Sequence, residues 1–549
     1  MRAGLGRLAL AATLVAGVAF VDSGPRPGSS AAAFPGATVD LVGHGYGHGR
    51  GMGQFGSLGY ALKDWTYKQI LDHYYGGTAM GTLADPDITV QLTRFDKVDL
   101  ILQQEKGHLQ ASTTPGVDYP ALRVRRLGPN TFQVDAGQTC AGPWAPLGSP
   151  VAGPVTFTPK AGRDTEDRTE MLQVCEATGT QRWLRGEVLA VEDGGGIRAV
   201  NRLRMEGYLK GVVPRESPAS WGTLGGGAGM HALRAQAVAA RSYAAAEDRP
   251  GFARTCDTTT CQVYGGRAEQ DAAGFRDNES DTTNRAVDET AGQTRVFTAT
   301  GKVARTEFSS STGGFSAGGV FPAVADEGDA VEQNPSRTWT AKVPVDVIEQ
   351  AKPEIGRLLS VDVTRRNGLG DMGGRVTELV LRGTTGRATM SGTDFRMLFP
   401  YSSAARPLGV RSDWFRVLNN PSGGLSGYWV AGPDGGVFSF GEAQFWGSTG
   451  GLKLNQPIVD LAGTPSAAGY WMVASDGGIF AFGAAGFFGS TGAIQLNQPI
   501  VGMSTTPSGN GYWLVANDGG IFAFGDAGFY GSTGAMKLNQ PVVGMAAMR

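Results

Sequence analysis

A unit of 42 residues recurs three times near the C-terminus and limits what this part of the 549-residue chain can fold into. A Tyr-Trp pair begins at Tyr428, Tyr470 and Tyr512, at equal intervals of 42 residues. Each unit contains aromatic and β-branched segments separated by Asp-Gly-Gly and Asn-Gln-Pro turns, which predicts four short strands per unit. This period is typical of propeller blades, because a single blade cannot bury its own apolar face.

Three units are fewer than the four or more blades of a usual propeller ring. Two ways of closing the array remain open: a threefold, trefoil-like closure within the chain, or an incomplete propeller that another molecule or the preceding domain completes. The aromatic edges beside Asp-Gly turns could bind sugar rings, but aromatic residues at this spacing are more typical of a blade core. We therefore predict an all-β binding or spacing module over residues 427–549.

The N-terminus predicts export. Arg2 and Arg7 precede an apolar run that ends at Val21, and small residues follow, so residues 1–33 have the pattern of a secretory signal peptide. The run is shorter than the roughly 20 residues that span a bilayer, so a retained membrane anchor is the weaker alternative. Lys plus Arg is 48 against 50 for Asp plus Glu, which leaves no excess positive charge for binding nucleic acid.

Four cysteines, Cys140, Cys175, Cys256 and Cys261, can form disulfides in an oxidising compartment. Three full pairings are possible, and loop-closure entropy favours Cys256 with Cys261 and Cys140 with Cys175. The alternative for the close pair is a metal site, but no histidine lies within twenty residues of it. We predict two disulfides and no metal or cofactor.

The middle of the chain contains the strongest candidate for chemistry. Between Leu203 and Val213, apolar residues at helical spacing predict a helix that ends at Pro214. Glu216 follows, and we expect the flanking prolines to keep it out of any helix. An alanine-rich segment over residues 231–243 predicts a second, buried helix. A lone loop glutamate is usually a solvated carboxylate, so its role depends on the surrounding motif.

That motif is one of five segments: NRLRMEGYLKGVVPRESPASW, ALRAQAVAARSYA, CDTTTCQVYGG, TNRAVDETAGQ and FSSSTGG. Their wording and order resemble the SpoIID/LytB family, which contains the stage II sporulation protein D and the amidase enhancer LytB. The resemblance runs over residues 185–417. A sixth family motif normally closes the domain, but here it opens the mature chain within residues 43–77, as GHGYGHGRGMGQFGSLGYALKDWTYKQILDHYYGG. This order indicates a circular permutation, which a fold tolerates when its termini lie close together.

The resemblance implies an α+β SpoIID-like domain over residues 34–417, followed by a linker at residues 418–426. The permuted block has its own helix, because Thr66 and Gln69 form a capping-box pattern. Between the block and the remaining motifs, residues 87–182 contain five predicted strands and form a β-rich portion of the same domain: ITVQL, VDLIL, LRVRRL, TFQVD and VTFTP.

The resemblance also implies work on peptidoglycan. Lytic transglycosylases of this family cut between N-acetylmuramic acid and N-acetylglucosamine in strands without stem peptides, and their catalytic glutamate corresponds to Glu216. One carboxyl group is enough, because it protonates the leaving oxygen and then accepts the proton of the O6 that closes the anhydro ring. The alternative is a non-catalytic, wall-binding activator of an N-acetylmuramoyl-L-alanine amidase, as in the LytB branch. An adhesin with an inactive domain is disfavoured by the intact glutamate motif.

Several side chains of the motifs are candidates for substrate binding around Glu216: His44, His48, Gln54, Arg215, Ser217, Arg241, Tyr264, Ser309 and Ser310. The two histidines could be metal ligands, but alternate glycines form no helix face and further ligands are missing. We predict that they contact sugar or support the fold, since glycine allows a ligand to approach the backbone closely. Family members that bind a metal use an upstream histidine, and residues 247–255 contain none.

Overall fold

The computed structural model describes residues 34, 36–249, 251–399, 409–420, 427–441, 443–465 and 469–548. The predicted signal peptide and residues 421–426 of the predicted linker lie outside the described residues. No helix in the described part of the chain is long and apolar enough to cross a membrane.

The described helices all lie between residues 54 and 398, whereas the described elements from residue 427 onward are strands. The helices are α1 (Gln54–Ala61), α2 (Tyr67–Tyr74), α3 (Met205–Glu216), α4 (Met230–Ala246), α5 (Asp281–Glu289), α6 (Val345–Ala351) and α7 (Gly392–Leu398). The predicted capping box is present at the start of α2, where Thr66 accepts from the Gln69 backbone. The predicted combination of a mixed α and β region with a β-only C-terminal region is therefore found.

Two large sheets form the β-rich portion, and all five strands predicted there are present. In spatial order, the nine-stranded sheet contains Val151–Ala152, Thr131–Gly137, Ala121–Gly128, Leu100–Gln103, Leu172–Cys175, Gln181–Leu184, Ala268–Asp271 and Gly274–Asp277, with Ala145–Pro146 paired to Thr131–Gly137. The six-stranded sheet contains Thr255–Cys256, Asp87–Gln91, Gly196–Arg204, Glu187–Asp193, Val155–Pro159 and Leu109–Ala111. Aliphatic residues of both sheets, of α3 and of α4 share one buried core.

Three smaller sheets join residues 38–82 to residues 293–417, and a fourth lies within residues 358–390. The strand pairs and triples are Thr338–Pro344 with Thr38–His44 and Phe415–Val417, Thr78–Thr82 with Gln293–Phe297, Met52–Gly53 with Phe308–Ser309, and Leu358–Arg366 with Val376–Gly383 and Arg387–Met390. Segments that are more than two hundred residues apart in sequence therefore pair directly in this fold.

Helix α3 ends later than the sequence predicts. It includes Pro214 in its last turn and ends at Glu216, so the expectation that the two prolines keep this glutamate out of a helix is wrong. A proline this close to the C-terminus removes only one intrahelical hydrogen bond. The Ser217 backbone N–H still donates to the Val213 carbonyl at 2.9 Å, which closes the last turn.

Both favoured disulfides are confirmed. Cys140 is bonded to Cys175, and Cys256 to Cys261, with Cα–Cα distances of 6.1 Å and 5.5 Å. Among the described residues, no cluster of three or more His, Cys, Asp or Glu side chains could hold a metal ion.

The described repeats form sheets of two or three strands, so the prediction of four strands per unit is wrong. The second and third sheets contain Ile458–Gly463, Gly469–Ala474 and Ile479–Gly483, and Ile500–Thr505, Gly511–Ala516 and Ile521–Gly525, whereas the first has only Gly427–Ala431 and Val437–Gly441. The Gly-Phe-Phe-Gly-Ser-Thr segment is not a strand, and its backbone is bound by a side chain of the next repeat. The Tyr512 hydroxyl donates to the Gly489 carbonyl at 2.6 Å and accepts from the Phe488 N–H at 3.2 Å. The described repeats form an open array rather than a closed ring.

Candidate active site

Glu216 lies at the C-terminal end of α3, where its half-buried carboxylate accepts two hydrogen bonds. Gln54 Nε2 donates to Oε2 at 3.1 Å, and the Val263 backbone N–H donates to Oε1 at 3.1 Å. Gln54 is the first residue of α1 in the N-terminal block, and Val263 follows the Cys256–Cys261 disulfide. Three segments that are remote in sequence therefore meet at one carboxyl group.

The surroundings of Glu216 favour its protonated form. Burial raises the pKa of this carboxyl above its usual range, and the hydrogen bonds from Val263 and Gln54 oppose that shift only in part. Within the described part of the chain, no second carboxylate is hydrogen-bonded to Glu216. A raised pKa with partial solvent access suits a group that donates a proton near neutral pH.

Two buried tyrosines fix the loop that supplies the Val263 N–H. The Tyr208 hydroxyl donates to Gln262 Oε1 at 3.0 Å, and the Tyr264 hydroxyl donates to Asn201 Oδ1 at 2.8 Å. The two rings pack with centroids 5.2 Å apart in the main core. Tyr264 is buried and its hydroxyl faces away from solvent, which corrects the prediction that it binds substrate. Its role is to hold the loop in place.

Arg241 is also part of the fold rather than of the cleft. Its guanidinium is fully buried and forms a two-point ion pair with Glu206, with Nε–Oε1 at 2.9 Å and Nη2–Oε2 at 2.5 Å. It also donates to the carbonyls of Gln293 and Val287. With these donors occupied by protein groups, Arg241 cannot reach a sugar, so the prediction that it binds substrate is wrong.

The strand pair that precedes α1 brings the serine motif beside Gln54. Gly53 pairs with Ser309, and the Phe55 N–H donates to the Ser310 carbonyl at 3.0 Å. The Ser309 hydroxyl is buried without a hydrogen-bond partner among the described residues, whereas Ser310 is half-buried. Ser309 and Ser310 therefore lie next to the segment that contacts Glu216.

The residues on either side of Glu216 face different surroundings. Arg215 is exposed, whereas Ser217 is buried and its hydroxyl has no hydrogen-bond partner in the part of the chain that the structure describes. Arg215 is thus the more accessible of the two candidates for a contact with a large polymer.

The two predicted histidines lie within the glycine-rich block that precedes α1, and neither of them is hydrogen-bonded to Glu216. His44 Nδ1 lies 3.1 Å from the Arg337 carbonyl, and its ring packs against Trp414. His48 Nδ1 accepts from the Arg50 N–H at 3.0 Å, and burial together with the Arg50 charge lowers the pKa of His48 to about 4. His48 is therefore neutral at physiological pH.

The glycines of this block allow backbone to pack against backbone. Gly45 has φ of +76°, and a Cβ there would lie 2.9 Å from the Gly313 nitrogen. Gly51 has φ of +65°, and a Cβ there would lie 1.9 Å from the Glu307 carbonyl oxygen. We predicted that these glycines allow a ligand to approach the backbone. At these two positions the structure explains the glycine by close packing against residues 307–313.

Sequence reasoning missed a pair of buried carboxyl groups under the serine motif. Asp326 accepts from the Tyr74 hydroxyl at 2.7 Å and from the Thr312 hydroxyl at 2.6 Å. Asp329 accepts from the Ser311 hydroxyl at 2.8 Å. Two aspartates three residues apart, shortly after a Gly-Gly turn, were the available signal. The contribution of Val263 gave no signal, since it is made by a backbone group.

Residues 193–297 match the family model described as stage II sporulation protein. The resemblance to the SpoIID/LytB family is confirmed. This segment contains Glu216, α4 and Val263, whereas Gln54 and the repeats lie outside it.

Two curated proteins are similar over part of the chain. The amidase enhancer of Bacillus subtilis is 31% identical over 155 residues, which are 28% of this chain and 17% of that protein. An uncharacterized protein of Brachyspira hyodysenteriae is 35% identical over 119 residues, which are 21% of this chain and 27% of that protein. The similar regions thus span less than a third of either relative.

Proposed function

We propose that the protein is a secreted lytic transglycosylase of peptidoglycan that cleaves the bond between N-acetylmuramic acid and N-acetylglucosamine in strands without stem peptides. The observation that carries the proposal is the half-buried Glu216, which has a raised pKa, two hydrogen-bond donors and no carboxylate partner among the described residues. A hydrolase would usually need a second carboxylate to activate water or form a covalent adduct. The SpoIID segment around this residue supports a function on the cell wall.

The reaction uses the same carboxyl group twice. Protonated Glu216 donates its proton to the glycosidic oxygen as the bond between that oxygen and the muramic acid C1 breaks. The muramic acid O6 then attacks C1, and its proton passes to the Glu216 carboxylate. The products are a 1,6-anhydro-muramic end and a free sugar hydroxyl, and Glu216 is again protonated.

The two donors that face Glu216 suit the second half of this cycle. Gln54 and Val263 hydrogen-bond the carboxylate that remains after proton transfer, and such bonds favour the charged form. Burial favours the neutral form. The opposing effects leave the pKa of Glu216 above its usual range, and a raised pKa suits a group that serves as acid and then as base.

The proposal is tested with Glu216→Gln on purified glycan strands freed of stem peptides, with products analysed by mass spectrometry. We expect anhydro-muramic ends from the unmodified protein and a loss of about 100-fold or more in the variant. Glu354→Gln, at an exposed glutamate, is the matched control and should retain full activity. Absence of anhydro ends from the unmodified protein would refute the enzyme, whereas equal activity of the Glu216 variant would refute only the assignment of this residue.

A second candidate function is activation of a wall amidase, and it is favoured by the similarity to a protein named amidase enhancer. In this case the cleft would bind glycan without cutting it and would bring the amidase to its substrate. Adding the protein to an N-acetylmuramoyl-L-alanine amidase acting on intact walls distinguishes the two functions. An activator speeds the release of stem peptides and leaves no anhydro ends, whether or not Glu216 is present.

A further inference from the structure

The three repeats are joined by the same interface twice. The Tyr470 ring packs against Trp429 with centroids 5.3 Å apart, and the Tyr512 ring packs against Trp471 at 5.8 Å. Each tyrosine hydroxyl donates to a glycine carbonyl of the preceding repeat. Both tyrosines are 0% exposed. We call the side of a repeat that faces the preceding repeat its front and the opposite side its back; the tyrosine at the front of one repeat is thus buried against the back of the preceding repeat.

The front of the first repeat lacks this partner. Tyr428, the counterpart of the two buried tyrosines, is 62% exposed. Its strand, Gly427–Ala431, pairs on one side with Val437–Gly441 and has no neighbour on the other side within the described residues. In the other repeats that side is occupied by Ile458–Gly463 or Ile500–Thr505. The corresponding positions here begin in Phe415–Val417, which pairs with the N-terminal strand instead.

The back of the third repeat has the strand segment and the aromatic surface that the front of the first repeat lacks. Residues 541–548 continue the repeat as PVVGMAAM, which corresponds to the strand segment PIVGMSTT at residues 499–506, but they form no strand. Val542 N–H donates to the Asn517 carbonyl at 2.8 Å, just as Ile500 N–H donates to Ser475 at 2.9 Å, so the segment starts in the usual position. Beyond that point it pairs with no strand of the described residues, although the Ala547 N–H donates to Ser504 Oγ at 3.2 Å, and Val543 is 88% exposed.

We propose that these two ends bind each other between two copies of this chain. Residues 541–548 of one copy add to the open edge of Gly427–Ala431 in the second, and Tyr428 of the second packs on Trp513 of the first. The Gly531 carbonyl, which is the repeat equivalent of Gly447 and Gly489, accepts the Tyr428 hydroxyl. Strand addition supplies main-chain hydrogen bonds, and the aromatic pair supplies apolar burial.

The three repeats in this sequence favour one further copy as the partner. A head-to-tail interface forms either a closed ring or an open filament. Propellers contain about four to eight blades, so three units are too few for a ring and two copies of three give a number within this range. The dimer is therefore a six-bladed ring in which each chain contributes half, and it also removes two exposed strand edges that would otherwise promote aggregation.

The first test is the mass of the whole mature protein in solution, measured by light scattering after gel filtration. We expect a dimer for the unmodified chain and a monomer for Tyr428→Asp. Because Tyr428 is exposed within one chain, this substitution should not unfold the repeat. The matched control is Phe487→Asp, which should remain dimeric. Phe487 is 65% exposed and lies at a position that is exposed in the first and third repeats as well, so it is not part of the interface between repeats.

A cross-link tests the register and the source of the second end. Leu461 pairs with Met472 in the second repeat, and the equivalent pair across the proposed interface is Met545 with Val430. Equal amounts of single variants Met545→Cys and Val430→Cys should form a disulfide-linked dimer when mixed and oxidised. A double variant that cross-links only within one chain would indicate threefold closure and overturn the proposal.

Three other outcomes overturn it as well. These are a monomeric unmodified protein at tens of micromolar, a Tyr428→Asp variant that stays dimeric, and open assemblies larger than a dimer. Near-ultraviolet circular dichroism of Tyr428→Asp verifies that the repeats of the variant remain folded, so a monomer reports a lost interface.

Discussion

At the residue scale, the chemistry proposed here depends on what surrounds one carboxyl group. Burial raises the pKa of Glu216, and the hydrogen bonds that its carboxylate accepts from Val263 and Gln54 lower that pKa in part. The Val263 N–H is part of the backbone and cannot be removed by substitution, but Gln54 can be changed. Its side chain is buried and makes this contact from the first turn of α1.

Replacing Gln54 by leucine should raise the pKa of Glu216 further, because a donor to its charged form is lost. We expect the high-pH limb of the kcat/KM profile to move to higher pH, since the protonated acid then persists to higher pH. The rate should fall by roughly tenfold, as expected for a hydrogen bond to a charged group. The measurement is the pH profile of anhydro-end formation.

Gln133→Leu is the matched control for this variant. Gln133 is equally buried and donates to the Val134 carbonyl in the nine-stranded sheet, away from Glu216. Its pH profile should superimpose on that of the unmodified protein. An unshifted profile for Gln54→Leu would show that Gln54 does not tune Glu216.

At the scale of elements, the position of Glu216 depends on how α3 is held against α4. Arg241 in α4 bonds to Glu206 in the first turn of α3, and Glu206 also accepts from the Gly292 N–H at 3.0 Å. The alanines of α4 are buried and allow its neighbours to approach closely. A buried ion pair therefore fixes the helix whose opposite end carries Glu216.

Arg241→Met should lower the free energy of unfolding by about 3 kcal/mol, because it leaves Glu206 without its buried partner. KM for glycan strands should not change at a temperature where the variant is folded, since Arg241 does not contact the cleft. Urea unfolding and steady-state kinetics measure the two effects. Arg234→Met is the control: its ion pair with Glu289 lies on a more exposed face of α4 and should contribute less than about 1 kcal/mol.

At the scale of the whole molecule, two buried carboxyl groups join segments from both ends of the domain. Burial raises the pKa of Asp326 to about 6, and burial together with the nearby Asp326 charge raises the pKa of Asp329 to about 7. In the unfolded chain both groups titrate near 4. Between about pH 4 and pH 7 the folded protein therefore binds more protons than the unfolded chain, and stability falls as the pH rises.

We expect the free energy of unfolding to fall by about 4 kcal/mol between pH 5 and pH 8 because of this pair. Asp329→Asn should flatten this dependence, since the amide does not titrate, although it also loses one hydrogen bond at every pH. Asp271→Asn, at a surface carboxyl whose pKa is lowered by its bond to Arg276, should leave the slope unchanged in this range. Urea unfolding at several pH values measures the slope, and an equal slope in Asp329→Asn would contradict the assignment.

Local patterns determined much of this protein. The 42-residue period, the five strands between residues 87 and 182 and the start of α2 follow from alternation, turns and capping, which act over a few residues. The pairing of Cys256 with Cys261 follows from the short loop between them. The motif around Glu216 marked the candidate acid, again within a single segment.

Tertiary structure alone decided the roles of the residues around that segment. Arg241 and Tyr264 stand in two neighbouring motifs of the same set as that of Glu216, yet they are buried by partners from other segments. No local pattern distinguishes a buried polar side chain from one in a cleft. Gln54 lies 162 residues from Glu216 in the sequence, and only the folded chain brings them into hydrogen-bonding distance. The physical reason is range: helices, strands and turns are set by neighbours along the chain, whereas burial, hydrogen-bond partners and the pKa of a carboxyl group are set by whichever distant segments pack against it.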